Sequence, residues 1–260
     1  MSHTGGKEGV LLLSPRERAR YSRQMMLFGE EGQELLKDAT IFIAGAGGLG
    51  SPVSMYLAVL GVGTIILADN DTVERTNLNR QILHTDKDIG RRKAVSARET
   101  LEELNPDITV QAIDATIDAA TIRSLIGKAD GIVDALDNYP TRYLLNGIAV
   151  EKGIPLFHGG ISGFFGQATT IIPGITPCLR CIFPNPPPPE VFPVAGVTAG
   201  FIGMVQATEV CKYLLCRGDL LANRLLLWDG MQSRVEELPI ERDPSCMVCA
   251  EKAPSRERSA

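Results

Sequence analysis

The chain has 260 residues, of which 44% are hydrophobic and 22% charged, and a formal net charge of −5. This hydrophobic content supports a sizeable core and excludes a largely disordered protein, while the negative charge argues against a nucleic-acid-binding surface. No apolar run approaches the roughly 18 residues that cross a bilayer, and the start, MSHTGG, lacks the features of a secretory signal. We therefore expect a cytoplasmic globular protein that binds neither nucleic acid nor a membrane.

Strand-like and helix-like segments alternate through the first 160 residues. We predict a flexible arm over 1–12, a polar, arginine-rich helix over 15–37 and a polar tail over 251–260. Five strands are predicted at 40–44, 64–68, 108–112, 131–134 and 155–158, and four helices at 51–60, 93–104, 119–126 and 141–152. This alternation is typical of a doubly wound, mainly parallel sheet.

The second half of the chain follows a different pattern. Segments 166–172 and 224–238 have the character of antiparallel strands, and 199–215 that of a buried helix. Between them lies FPNPPPPE (183–190), a proline run predicted to be a mobile loop because it suits neither helix nor strand. The sequence therefore predicts one α/β domain over 13–250, in which antiparallel strands extend the parallel sheet.

The first predicted strand leads into a glycine-rich loop, GAGGLG. Gly45, Gly47, Gly48 and Gly50 lie in this loop, and a predicted helix follows. In Rossmann-like folds the backbone N–H groups of such a unit hold phosphate, and the glycines let the ligand approach closely. Asp69 ends the next strand, at the spacing where an acidic residue binds a ribose hydroxyl. By itself the motif indicates either a dinucleotide or ATP.

A polar segment after the second strand favours ATP. Asn77, Arg80 and Gln81 occur together in NLNRQ, and Lys93 follows. Two cations and two amides supply more positive charge than a dinucleotide pyrophosphate needs, whereas a triphosphate needs it. We therefore expect these four residues to lie at the phosphates.

The predicted strand 131–134 brings two carboxylates, Asp134 and Asp137, to its carboxyl end, where open α/β sheets bind ligands. Asp137 is the candidate magnesium ligand, because Mg²⁺ between phosphates prefers oxygen ligands and usually takes one or two carboxylates. The alternative is that Asp137 caps the helix that begins near Pro140.

Four of the six cysteines form two CxxC pairs, Cys178 with Cys181 and Cys246 with Cys249. Two such pairs supply the four thiolates of a tetrahedral zinc site. We expect structural Zn²⁺ here, with a redox dithiol or disulfides as the alternatives. A redox CxxC normally opens a helix of a thioredoxin-like unit, and neither flank predicts one.

The other cysteines and two histidines lack metal-binding spacing. Cys211 and Cys216 accompany the predicted apolar helix and are interpreted as buried small hydrophobic residues. His84 and His158 are interpreted as structural.

Together these motifs resemble those of the MoeB/ThiF/HesA adenylyltransferases, bacterial and archaeal relatives of the ubiquitin-activating enzymes. The resemblance extends over about 20–249 and includes RYSRQ at 20–24. It implies a homodimer that uses ATP and Mg²⁺ to adenylate the C-terminal glycine of a small ubiquitin-like sulfur-carrier protein ending in Gly-Gly. It also implies a nucleotide-binding half over 13–160 and a carrier- and zinc-binding half over 161–250.

Carboxylate attack on the α-phosphate brings two anions together, so the site needs the charge of residues such as Arg80 and Lys93. By the same resemblance Asp69 binds the ATP ribose and Asp137 is associated with magnesium. Arg23 resembles the family's arginine that reaches across the dimer to the partner's phosphates. The alternative for Arg23 is an ordinary position on a solvated helix face.

Two features concern the step after adenylation. Family members that form a thioester or acyl disulfide use a cysteine in the loop after the first CxxC pair, where Phe192 aligns here. We therefore expect catalysis to stop at the acyl adenylate. No rhodanese extension follows Cys249, so we expect a separate sulfur donor. The sequence does not select among carriers for molybdopterin, thiamine, tRNA thiolation or cysteine synthesis.

Two functions of other classes are the alternatives. The glycine loop with Asp69 also fits an NAD-dependent oxidoreductase, but that function leaves Arg80, Lys93 and Asp137 without a role. A scaffold that binds a carrier without adenylating it would not need an intact set of ATP-binding residues.

Overall fold

The computed structural model describes residues 12–185 and 193–250. The predictions for most of the arm over 1–12, for most of the proline run, for Phe192 and for the tail over 251–260 lie outside the described residues.

Seven helices and eight strands make up the described fold. The helices are α1 (Pro15–Asp38), α2 (Gly50–Leu60), α3 (Lys93–Leu104), α4 (Ile122–Ile126), α5 (Tyr139–Lys152), α6 (Leu179–Ile182) and α7 (Gly196–Leu214). The strands are β1 (Thr40–Ala44), β2 (Thr64–Ala68), β3 (Thr109–Ile113), β4 (Gly131–Asp134), β5 (Leu156–Ser162), β6 (Phe165–Ile171), β7 (Arg224–Asp229) and β8 (Arg234–Pro239).

All eight strands belong to one sheet, in the order β3-β2-β1-β4-β5-β6-β7-β8. The first five are parallel and the last three antiparallel. The predicted doubly wound sheet with an antiparallel extension is therefore confirmed. The strand order reverses direction at β1 and β4, which is the point where ligands bind in open α/β sheets.

The helices cover both faces of the sheet and create two hydrophobic cores. On one face α2, α3 and α7 contribute residues such as Leu57, Leu101 and Ile202. On the other face α4, α5 and α6 pack together with three of the four CxxC cysteines. This layering explains why β1 is apolar from Ile41 to Ala44 and β4 from Gly131 to Val133, since both faces of these strands are buried.

Local sequence sets the helix boundaries that matter for the site. Ser14 and Glu17 form a reciprocal capping box that starts α1, with Pro15 in the first turn. Gly29 interrupts α1 with a φ of 78°. No helix in residues 12–185 and 193–250 has the length and apolar character needed to cross a membrane.

Candidate functional site

The glycine loop after β1 packs directly against the loop after β4. Gly45 has a φ of +100°, and a Cβ there would lie 2.9 Å from the carbonyl oxygen of Ala135. A Cβ on Gly50 would lie 2.0 Å from the carbonyl oxygen of Gly45. A side chain at Gly45 would push the two loops apart, and one at Gly50 would disrupt the glycine loop itself, so glycine is needed at both positions for backbone packing.

The middle of the glycine loop is open for a ligand. A Cβ on Gly47 or Gly48 would make ordinary contacts, at 3.7 Å from Gln81 Nε2 and 3.4 Å from Ala199 Cβ. Across the described part of the chain, no group accepts a hydrogen bond from the backbone N–H of Gly47 or Gly48. These donors lie just before the N-terminus of α2, where the helix dipole favours an anion.

Asp69 holds the glycine loop from the end of β2. Its Oδ2 accepts a hydrogen bond from the backbone N–H of Ala46 at 2.8 Å, and its Oδ1 accepts one from Asp71 N at 2.8 Å. The side chain is partly exposed beside the loop. This is the place where a ribose following the phosphates would lie.

The NLNRQ segment runs along the other side of the glycine loop. Arg80 is partly exposed, donates to Thr76 O at 2.9 Å, and has its Cγ 3.6 Å from where a Cβ on Gly48 would lie. Gln81 is 4% exposed, and its Oε1 has no hydrogen-bond partner among the residues that the structure describes. A buried amide oxygen without a partner is costly, which marks a place prepared for a donor.

Asn77 and Lys93 both have polar partners within the chain, which the sequence alone does not indicate. Asn77 is buried and its Oδ1 accepts from Glu74 N at 3.2 Å, so it shapes the turn that carries Arg80. Lys93 is 5% exposed, and its Nζ pairs with Asp71 Oδ2 at 2.9 Å. The Asp71 side chain is 65% exposed, so Lys93 is anchored beside the site by a partner at the solvent boundary.

The loop after β4 exposes one carboxylate and buries the other. Asp137 is exposed, whereas Asp134 is completely buried and accepts a hydrogen bond from His158 Nδ1 at 2.7 Å. Both carboxylates lie at the carboxyl end of β4, as predicted, but only Asp137 is open to solvent. The helix cap is Asn138, whose side chain accepts from Thr141 N, so the alternative that Asp137 caps α5 is excluded.

Arg23 lies away from the glycine loop of its own chain. The neighbouring Gln24 donates to the carbonyl oxygen of Leu60, at the C-terminal end of α2. The glycine loop is at the opposite end of this helix, about 16 Å away for 11 residues. Arg23 is exposed on α1, so the structure does not bring it together with the other candidate site residues within one chain.

The two CxxC pairs meet on the α5 face of the sheet. One sulfur from each of Cys178, Cys181, Cys246 and Cys249 lies within 4.8 Å of every other. Three of the Sγ–Sγ separations are 3.5, 3.7 and 3.9 Å. Four thiolates at about 2.3 Å from a tetrahedral Zn²⁺ would be roughly 3.8 Å apart, whereas a disulfide requires about 2.0 Å. The donor set therefore fits zinc.

The electrostatics of this cluster are uneven. Burial raises the pKa of the Cys178 thiol. Burial also opposes ionisation of Cys246, but hydrogen bonds from the backbone of Val248 and Cys249 lower its pKa to about 7. The first pair opens the single turn of α6, with Cys178 at its N-cap, although no helix was predicted there.

The interpretation of the remaining cysteines as buried holds in part for Cys211 and is wrong for Cys216. Cys211 lies within α7, is partly buried, and has a pKa raised by that burial. Cys216 is exposed, because α7 ends at Leu214 and Cys216 turns outward with a φ of 51°. An accessible thiol is therefore present beyond the helix end.

The structural interpretation of both histidines is consistent with their surroundings. His84 is buried between Ser96 Oγ at 2.9 Å and Ala46 O at 3.2 Å. Burial lowers the pKa of His84 and of His158, so both imidazoles favour the neutral form. Through its hydrogen bond with Ala46 O, His84 links the chain just after the NLNRQ segment to the glycine loop.

Arg142 is a buried residue that the sequence interpretation overlooked. It is 5% exposed on α5 and contacts the loop that carries Asp137. Its sequence signal is weak: an arginine three residues before Leu145 on the face of α5 that is buried, where Asn146 is a second buried polar residue.

Comparison with known proteins agrees with this geometry. The profile of the ThiF family matches residues 21–248. The chain belongs to the ThiF family. It is 44% identical to the SAMP-activating enzyme E1 of Haloferax volcanii, over 93% of this chain and 92% of that protein. It is 42% identical to the sulfur carrier protein adenylyltransferase of Thermus thermophilus, over 92% and 93%.

Solved structures share the fold of this ThiF-family chain. Escherichia coli MccB with MccA-N7isoASN superposes with a TM-score of 0.81 at 26% identity, covering 93% of this chain and 76% of that one. Escherichia coli MccB with ATP gives a TM-score of 0.79 at 27% identity with the same coverage.

Proposed function

We propose that this ThiF-family protein uses ATP and Mg²⁺ to adenylate the C-terminal glycine of a small ubiquitin-like sulfur-carrier protein ending in Gly-Gly. The observation that carries the proposal is the open glycine loop. Its free N–H groups at Gly47 and Gly48 are flanked by Arg80 and by the side-chain amide of Gln81, whose oxygen has no hydrogen-bond partner among the described residues. These groups suit the phosphates and polar atoms of ATP.

In the proposed reaction a carboxylate oxygen of the carrier attacks the α-phosphorus of ATP. The new O–P bond forms as the bond from the α-phosphorus to the bridging oxygen breaks, and pyrophosphate leaves with that oxygen. Nucleophile and phosphates are all anionic, so the barrier falls when fixed cations lie where charge accumulates. Arg80 and Lys93 fill this role, and Asp69 holds the ribose.

Asp137 is the residue that would associate with magnesium. Its carboxylate is exposed beside the glycine loop, and the helix cap is supplied by Asn138 instead. Because the Asp137 carboxylate does not cap the helix, its oxygens are available to Mg²⁺, which prefers oxygen ligands. The bound ion would neutralise phosphate charge.

The proposal includes a homodimer in which Arg23 of one chain completes the site of the other. Support comes from the distance between Arg23 and the glycine loop within a single chain, together with its exposure on α1. An arginine delivered from a partner suits the spread charge of a phosphoryl-transfer transition state. A solvated helix face is the competing role for this residue.

The names of the relatives support the carrier substrate. The matched proteins of Haloferax volcanii and Thermus thermophilus are named for activating a SAMP and for adenylating a sulfur carrier. We further propose that 13–160 form the nucleotide half, that 161–250 form the carrier and zinc half, and that a separate protein donates sulfur. A cytoplasmic location belongs to the same proposal, whereas the pathway is left open.

Adenylation is proposed to be the last step, without a covalent enzyme–carrier intermediate. This rests on Phe192 at the aligned thiol position, which lies outside the described residues. The exposed thiol of Cys216 makes a direct test necessary. On a non-reducing gel after incubation with ATP and carrier, we expect no thiol-sensitive enzyme–carrier band. A band that disappears in Cys216→Ser or Cys211→Ser would contradict adenylation alone.

Trapping the activated carrier tests the proposed function. Each small ubiquitin-like protein of the source organism that ends in Gly-Gly is incubated with enzyme, ATP, Mg²⁺ and hydroxylamine. Hydroxylamine converts an acyl adenylate to a stable hydroxamate with release of AMP, which mass spectrometry detects. The same carriers without their last glycine are the control. Carrier binding without hydroxamate would indicate a scaffold, and NAD-dependent turnover would indicate an oxidoreductase.

A further inference from the structure

The peptide unit immediately before Asp137 is held from both sides by buried charged groups. The backbone N–H of Leu136 donates to Asp134 Oδ1 at 3.2 Å. The carbonyl oxygen of Leu136 accepts from Arg142 Nη2 at 2.5 Å. An exposed loop residue, Asp137, is therefore attached to a peptide unit whose N–H and C=O both have fixed partners.

Arg142 connects this loop to the neighbouring strand. The same Nη2 also donates to Gly159 O on β5 at 3.0 Å. Its Nε lies 3.5 Å from Asp134 Oδ2 and makes no hydrogen bond with the residues that the structure describes. The guanidinium thus connects the loop after β4 to the middle of β5, and the two N–H bonds of a single nitrogen serve both carbonyls.

Asp134 is fixed in turn by a second set of contacts. His158 Nδ1 donates to its Oδ2 at 2.7 Å, and the side-chain amide of Gln206 donates to its carbonyl oxygen at 2.8 Å. All three residues are at most 1% exposed. With a neutral imidazole, the cluster contains one negative charge and one positive charge, Asp134 and Arg142, so it is balanced without solvent.

We infer that Arg142 is a positioning residue, which together with Asp134 fixes the Leu136 peptide and thereby the direction of the Asp137 carboxylate toward the metal–nucleotide complex. The inference rests on the proposed function, because Asp137 is assigned to magnesium there. Residues that orient a metal ligand typically change metal affinity by about 10- to 100-fold when they are replaced. A purely structural role would change stability alone.

The test is a thermodynamic cycle measured by calorimetry on the full chain. ATP binding is titrated with Mg²⁺ and again with excess EDTA, for wild type, Arg142→Lys, Arg142→Gln, Asp137→Ala and the Arg142→Lys/Asp137→Ala double variant. Lysine keeps a positive charge near Asp134, but its nitrogen is one atom closer to the backbone than Nη2 of arginine, so the side chain is too short to reach both carbonyls. Thr170→Val is the matched control, because it removes a buried hydrogen bond from β6 of the same sheet to Glu209 on α7.

We expect Arg142→Lys to weaken MgATP binding by about tenfold or more, to leave metal-free ATP binding within about twofold, and to have no further effect in the Asp137→Ala background. Thr170→Val should bind MgATP like wild type. The inference is overturned if folded Arg142→Lys and Arg142→Gln match wild type, if the loss persists in EDTA, or if it persists without Asp137.

Two other results have defined meanings. If neither Arg142 variant folds, as judged by circular dichroism, Arg142 has a structural role and the inference fails. If wild type binds no MgATP, the proposed function fails first and the inference fails with it. A result in which wild type binds MgATP and the Arg142 variants do so equally well overturns the inference alone.

Discussion

The Oδ2 atom of Asp69 accepts a hydrogen bond from the backbone N–H of Ala46 at 2.8 Å, which ties the end of β2 to the glycine loop. The second oxygen accepts from Asp71 N. A carboxylate offers about four acceptor positions, so these two bonds leave capacity for a ribose hydroxyl. Asp69 therefore holds the glycine loop and keeps acceptor capacity for the proposed ribose contact.

Asp69→Asn should weaken ATP binding by about tenfold and lower the free energy of unfolding by about 1–2 kcal/mol. The amide cannot accept from Ala46 and the backbone of Asp71 while also serving the ribose. Calorimetry and urea unfolding measure the two effects. Asp118→Asn is the matched control, since this carboxylate also accepts backbone N–H groups, in a surface turn. Wild-type ATP affinity in Asp69→Asn would contradict the ribose assignment.

The cysteine cluster should contain about one zinc per chain in freshly purified, reduced protein. Structural zinc contributes on the order of 10 kcal/mol of apparent binding free energy, so its loss should release the C-terminal segment and lower stability markedly. Elemental analysis and thermal unfolding of Cys181→Ser measure this. Cys211→Ser should retain full zinc. Absence of zinc from the reduced wild-type protein would refute the site.

Mixing two inactive variants tests whether Arg23 acts across a dimer. Arg23→Ala and Arg80→Ala, each inactive alone, should regain about a quarter of wild-type activity after subunit exchange, because half of the dimers then have one intact site. Arg80→Ala mixed with Lys93→Ala should stay inactive, since every site retains a lesion. Full activity of Arg23→Ala alone would favour the solvated helix face instead.

Stability should decrease as the pH falls below about 6.5. Burial lowers the pKa of His84 and of His158 from an ordinary value of 6.5, so the unfolded chain takes up protons before the folded protein does. Acid therefore favours unfolding, by up to about 1.4 kcal/mol per pH unit for each histidine. The positive charge of Lys93 near His84 and that of Arg142 near His158 also lower the pKa of these two imidazoles.

Urea unfolding between pH 7.5 and 5.5 measures this slope. His84→Gln should reduce it, although the variant is less stable overall. The carboxylates of Glu17 and Asp88 have a lowered pKa and lose their stabilisation only at more acidic pH, outside this window. The same slope in His84→Gln and His158→Gln as in wild type would show that these imidazoles are not the cause.

The parallel half of the fold could be predicted from sequence because its signals are local. The predicted 40–44, 64–68 and 93–104 match β1, β2 and α3, since each combines continuous apolar residues or helical periodicity with clear breaks. β3 is shifted by one residue, and α4 is shorter than the predicted 119–126. Boundaries depend on capping contacts that a periodic pattern does not contain.

The site could be predicted only in part, because burial depends on distant partners. Asp134 and Asp137 are alike in sequence, but His158 from another strand buries the first and leaves the second exposed. Arg142 was overlooked because its two carbonyl partners are set by tertiary packing. Cys216 was misjudged because its exposure depends on the turn after α7, where it has a φ of 51°, and the apolar pattern of the helix does not predict that turn.

Carrier-dependent exchange of labelled pyrophosphate into ATP tests the central claim most directly. The wild-type protein should exchange only when a Gly-Gly carrier is present. Arg80→Ala and Asp137→Ala should be folded yet at least about 100-fold slower, because the first removes positive charge at the phosphates and the second removes the proposed magnesium ligand. Arg75→Ala, an exposed arginine paired with Asp86 nearby, should remain near wild type. No exchange with any such carrier, or near-normal exchange in both site variants, would contradict the account.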